Sequence, residues 1–234
     1  MRSSKLSLAA FIAVLSFFFV TRSFAQTNPQ DTLPYKAYEV GLFGTVGASV
    51  FNGTVPDGSK TDIYFPAYTI GALGTIAANR DIGFALGLGY EQRGMFFKQQ
   101  NVTTPNETIA IKYLSFQPSI RFKSFLLGIN FNIPMSANVH FVPGSGIAEF
   151  DRSVGTDTTN SLIDIRAEGL LPIVENDFGN LYFVIQASYC LSDAIGKGGF
   201  YSVGQTTTTP ITKSPIPTVQ IGLSYLFSPG AKTK

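Results

Sequence analysis

Seven charged residues sit where the surrounding sequence leaves little room for charge. Glu39, Glu91, Arg93, Arg121, Asp164, Arg166 and Glu168 each lie within a stretch of alternating apolar residues, on the parity opposite to the apolar set. A strand sends alternate residues to opposite faces, so all seven are expected on the face turned away from the apolar side chains. Carboxylates and guanidiniums gathered in a closed space can mark an ion path or gate, or pair into a plug that fixes a shape. Buried and unpaired, each would cost several kcal/mol, so they are expected to pair across the interior as a plug.

Other residues that carry chemistry elsewhere do not assemble into a motif here. His140, the only histidine, lies near Ser145 and Asp151 in a long connection, with no Gly-x-Ser-x-Gly elbow to present a nucleophile. A loop histidine in water is the expectation. Cys190 is the single cysteine, so neither a disulfide framework nor a metal-ligand spacing exists. The run Gly196-Lys197-Gly198-Gly199 lacks the spacing of a phosphate-binding loop. Asn52-Gly53-Thr54, Asn101-Val102-Thr103 and Asn106-Glu107-Thr108 match the glycosylation sequon, and their placement reflects Asn/Thr-rich outer loops. No catalytic residue, cofactor or metal is expected.

The elements that must position the seven charges are strands. Eight segments alternate with period two: residues 37–51, 67–78, 82–97, 109–122, 125–133, 161–174, 181–192 and 218–227. In the third, Ile82, Phe84, Leu86, Leu88 and Tyr90 oppose Gly83, Ala85, Gly87, Gly89, Glu91 and Arg93. Most segments supply the about 9 to 11 residues with which a tilted strand crosses a bilayer. The connections alternate in length. Asn79–Asp81, Lys123–Ser124 and Glu175–Asn180 are brief, whereas Asn52–Phe65, Lys98–Thr108, Met135–Asn160 and Asp193–Pro215 are long. Short turns at one end and long loops at the other are the plan of an even-stranded outer-membrane barrel. The expected fold is therefore all-β: an eight-stranded antiparallel up-and-down transmembrane β-barrel over residues 37–227. Pro118 and Pro172 fall inside strand segments and call for bulges or strand ends.

Face composition decides which side of the barrel meets lipid. The weaker faces are rich in Gly, Ala and Ser, which suits the crowded interior of eight strands. The apolar set then faces outward, with Tyr38, Tyr68, Tyr90, Phe96, Tyr189, Tyr225 and Phe227 forming girdles at the interfaces. The opposite assignment, apolar side inward, describes a secreted lipocalin-like barrel for an apolar ligand.

The amino terminus carries Arg2 and Lys5, an apolar run from Leu6 to Val20, and Ser23-Phe24-Ala25. This is the layout of a secretory signal peptide cut after Ala25, leaving a periplasmic segment 26–36, the barrel, and a tail 228–234. Cleavage removes three of the 17 basic residues, leaving 14 against 15 acidic ones and a charge of −1. That balance gives no reason to expect a nucleic acid partner.

The pieces LGLGYEQRG, YLSFQPSIRF and LLGINF resemble, in content and order, the PorT-like outer-membrane β-barrel proteins of Bacteroidetes-type bacteria. Tyr90, Arg93, Gly94, Tyr113, Leu114, Pro118, Arg121 and Gly128 occupy the places that carry the resemblance. Pro118 comes a residue later after Tyr-Leu than is usual for that family, and seven residues follow Phe227, where many barrels end. The resemblance implies a barrel in the cell outer membrane, embedded in its lipid and handled by the barrel assembly machinery during biogenesis. It does not by itself imply a role in secretion. The expected function is structural or interactive, with a protein or small ligand met by the outer loops. A narrow channel or transport component with a charged lumen is the alternative.

Overall fold

The structure is a computed structural model that describes residues 38–53, 59–79, 81–99, 106–142, 150–154, 159–176, 178–195 and 215–228. The leader, segment 26–36, residues 229–234, Ser145 and the Gly196–Gly199 run lie outside the described residues. The strands are β1 (Tyr38–Val50), β2 (Ser59–Ala77), β3 (Ile82–Gln99), β4 (Asn106–Phe122), β5 (Phe125–Val142), β6 (Phe150–Val154), β7 (Leu162–Glu175), β8 (Gly179–Cys190) and β9 (Thr218–Phe227). Eight of them form an antiparallel ring in the order β1, β2, β3, β4, β5, β7, β8, β9. The ring closes through the ladder from Val40↔Phe227 to Ser49↔Thr218. A closed ring leaves no open edge, so backbone donors and acceptors in its wall are matched between neighbours.

The apolar set faces outward. Ile82, Phe84, Leu86 and Leu88 are 42%, 61%, 50% and 54% exposed, whereas Gly83, Ala85, Gly87, Gly89, Glu91 and Arg93 are buried. No soluble core would leave such a face uncovered; it is the surface of a barrel solvated by lipid. Tyr38, Tyr225 and Phe227 lie at the end with the short turns, while Tyr68, Tyr90 and Tyr189 lie toward the other. Tyr68 and Tyr90 sit side by side with ring centroids 6.3 Å apart.

The ninth strand, β6, corrects the sequence reading. It pairs with the outer part of β5, from Ala137↔Val154 to Phe141↔Phe150, within a stretch expected to be a loop. The other ladders also run further than expected: Ser59–Phe65 belongs to β2, Lys98 and Gln99 to β3, and Asn106–Thr108 to β4. One sequon, Asn106–Thr108, therefore opens a strand. Toward the loop end the hydrophobic phase also changes. Along β3 the apolar set runs on even positions to Tyr90 and faces out, but Met95 and Phe97 beyond it face in. In β4, Ile109, Ile111 and Tyr113 face in, and Leu114, Phe116 and Ile120 face out. The alternating segments 82–97 and 109–122 run through this flip and stop only a few residues short of the ladder ends.

Three strand prolines coincide with register shifts. Pro66 falls in the shift between Asp62 and Tyr68, Pro134 beside the one between Lys112 and Tyr113, and Pro172 beside the one between Pro172 and Val174. Proline lacks the donor a ladder needs, and a bulge removes that need. Pro118 departs from the expectation. It pairs with Leu86 of β3, while the ladder to β5 passes from Phe116↔Phe131 to Ser119↔Gly128 with no change of register. Loss of one donor is absorbed there without a bulge.

The short turns are stabilised locally. Asn79 Oδ1 accepts hydrogen bonds from the backbone N–H of Asp81 and Ile82 at 2.9 and 2.8 Å. Asn176 Oδ1 does the same for Phe178 and Gly179 at 3.0 and 2.9 Å. These side chains mimic a backbone turn. Lys123, at φ 51°, makes the tight β4–β5 turn in the left-handed region.

Candidate functional site

The lumen is filled in layers. At the turn end Glu39 of β1 meets Arg121 of β4 across the barrel, with Nη1 to Oε2 at 2.5 Å. Arg121 Nη1 also donates to Thr75 Oγ1 at 3.1 Å, and Asn180 Nδ2 donates to Glu39 Oε1 at 2.9 Å. An apolar cluster of Phe43, Leu73, Ala85, Leu126, Leu170, Tyr182, Val184 and Leu226 follows.

Beyond it lies a polar chamber. Arg166 pairs with Glu168, two positions along the same strand, at 2.9 Å. Its guanidinium also donates to Gln117 Oε1 at 2.5 Å and to Ser119 Oγ at 2.9 Å. Arg93 of β3 bridges two carboxylates: Nε reaches Glu91 Oε1 at 2.7 Å, and Nη2 reaches Asp164 Oδ2 on β7. Arg93 Nη1 donates to Cys190 Sγ and to the Ile216 carbonyl, both at 3.3 Å. Asn132 Nδ2 donates to Asp164 Oδ2 at 2.7 Å, and Thr45 and Thr69 both donate to Gln220 Oε1. A second apolar cluster, including Phe51, Met95, Phe97, Ile109, Ile111 and Phe141, closes the loop end.

All seven sequence-selected charges thus lie inside the barrel, in three groups. Two contacts cross the lumen, Glu39–Arg121 and Arg93–Asp164; two link neighbours two residues apart on one strand, Glu91–Arg93 and Arg166–Glu168. The amides Gln117, Asn130, Asn132, Gln186 and Gln220, which the sequence analysis did not single out, also line the lumen. Their signal was parity, the same that selected the charges. His140 corrects an expectation. It lies in β5 within a ladder, and its Nδ1 sits 2.6 Å from Asp151 Oδ1 of β6.

The lumen-facing glycines answer a packing demand. The Phe43 ring lies across Gly71 and Gly89, where an added Cβ would come within 3.0 and 3.5 Å of it. Gln117 covers Gly87, with 2.8 Å left for a Cβ. Large side chains from one strand therefore occupy the space left by glycines on the next.

Together the ring, the outward apolar face and the filled lumen define a small β-barrel of the transmembrane kind. No family model matches the chain, and no curated protein matches it. Among solved structures the chain is similar to Ail, the attachment invasion locus protein of Yersinia pestis, with 13% identity over 81% of this chain and 97% of that one, at a TM-score of 0.38. It is also similar to Neisserial surface protein A, with 7% identity over 80% and 96% of the two chains and a TM-score of 0.38. The outer membrane protein OprG from Pseudomonas aeruginosa matches at 12% identity over 81% and 95%, with a TM-score of 0.35.

Proposed function

We propose that the chain is a closed outer-membrane barrel of non-catalytic, interactive function, acting at its loop end on a protein or small ligand. The observation that carries this reading is the filling of the described lumen by two buried apolar clusters with a salt-bridged layer between them. A lumen packed in this way favours a closed barrel, whose ends are then left for function.

One part of the loop end is built rigidly. β5 runs on from Asn132, its last partner in β7, to Val142, and β3, β4 and β6 accompany it. At roughly 3.3 Å per residue, this wall projects about 30 Å along the strands beyond the ring's lower side. Its inner face is buried and mainly apolar, with Glu107 among the apolar side chains; its outer face carries Lys98, Thr108, Lys112, Ser136, Asn138 and His140. A rigid scaffold holding polar groups away from the membrane suits recognition.

The reading includes a leader cut after Ala25, passage through the barrel assembly machinery, and kinship with the PorT-like barrels. The residues behind that resemblance are structural here: Arg93 and Arg121 tie the lumen, and Gly128 leaves only 2.3 Å between an added Cβ and the Pro118 carbonyl. The test is a planar-bilayer recording of the refolded protein beside fractionation of expressing cells. A heat-shifting outer-membrane band with no conductance steps is expected. Stable steps would sink the closed-barrel reading and make the channel the function.

A further inference from the structure

The charges of the central chamber do not balance. Between the two apolar clusters the described residues place two guanidiniums, Arg93 and Arg166, against three carboxylates, Glu91, Asp164 and Glu168, for a formal charge of −1. The Glu39–Arg121 pair at the turn end is neutral in itself and belongs to another layer. Arg166 is matched by Glu168, so the excess resides on Glu91 and Asp164, which share Arg93. A net charge held away from water is costly until something of opposite sign joins it.

The unpaired atoms show where that partner would sit. Arg93 takes one oxygen from each carboxylate, leaving Glu91 Oε2 and Asp164 Oδ1 with no hydrogen-bond partner. Asn130 faces Asp164 across the β5–β7 ladder, is fully buried, and has neither amide atom paired. Asn132, already bound to Asp164 through its Nδ2, leaves its Oδ1 unpaired. Oxygens of β3, β5 and β7 thus remain unpaired around Arg93, while the unpaired donors Tyr113 Oη, Asn130 Nδ2, Arg166 Nε, Gln186 Nε2 and Gln220 Nε2 share the lumen with them.

We propose that this chamber binds one monovalent hard cation, sodium or potassium, through oxygens of Glu91, Asp164, Asn130 and Asn132. The donors are carboxylate and amide oxygens, which suit hard cations. The charge of −1 is cancelled by a single positive charge and would be overshot by a divalent ion. Softer metals lack their ligands. The Cys190 thiol is engaged with Arg93 and the Ile216 carbonyl, and no cluster of three His, Cys, Asp or Glu occurs among the described residues.

The test is equilibrium unfolding of the full chain, refolded into zwitterionic vesicles, in sodium, potassium or choline chloride at one pH and one ionic strength. A cation that binds only the folded state raises the folding equilibrium constant about tenfold for each tenfold increase in its concentration once binding saturates. That dependence is expected for sodium or potassium and not for choline, and the stronger of the two identifies the ion. Asp164→Asn should abolish it. Should that variant fail to fold, Asn130→Ala, which keeps every charge, should move the dependence to higher concentration. Equal stability in all three salts overturns the proposal and leaves a proton as the neutralising charge. A dependence unchanged in Asn130→Ala overturns it too, because the ion would then bind elsewhere.

Discussion

At the scale of single residues, the interior trades charge against burial. Arg166 and Glu168 are both essentially inaccessible, and the guanidinium is held by Gln117 and Ser119 as well as by its carboxylate. Removing one member strands the other, which costs about 3–5 kcal/mol in buried pairs, whereas replacing both with apolar residues is often neutral. Arg166→Met should therefore lose about that much stability in urea titrations of the vesicle-embedded barrel, and Arg166→Met/Glu168→Leu should recover most of it. Equal losses in the single and double variants would mean that the pair is not the unit. Parity alone put these side chains on the inner face, and that much was legible. Which of them touch was not, because Arg93 and Asp164 meet only through the curvature of a ring that places β3 opposite β7.

Elements reveal what the glycines permit. Gly41 and Gly44 lie on the same strand, yet a Cβ on Gly41 would fall 1.7 Å from the Tyr225 carbonyl, while one on Gly44 would meet nothing within 4 Å. Both flank the β1–β9 ladder that closes the ring. Gly41→Ala should thus impair closure, seen as loss of the heat-shifted form on a gel, and Gly44→Ala should leave it intact. Equal behaviour of the two would show that close approach of β9 is not what requires glycine. The eight membrane-crossing segments were readable from alternation because lipid imposes one apolar face on all of them. The outer parts of β2 and β5 and all of β6 were missed, the first two lying beyond the bulges near Pro66 and Pro134, which break the period that alternation counts.

For the whole molecule, the exterior is the part that water must not reach. Leu86, half exposed on β3 and paired with Pro118, lies well inside the apolar band. Leu86→Arg should cost about 2–4 kcal/mol in a bilayer, as charge on the lipid face of a barrel does near the midplane. No penalty in vesicle unfolding titrations would argue that this face is not in lipid. The same barrel is lopsided along its axis. Among the described residues its wall stands tall over β2, β3, β4, β5 and β6, and the ladders of β7, β8, β9 and β1 stop lower. The molecule consequently has a front and a back as seen from above the membrane. Among the described residues, tall polar strand stands on one side and shorter ladders on the other, so rotation of the barrel about its own axis changes what it presents. Any array it joins inherits a direction within the plane of the bilayer.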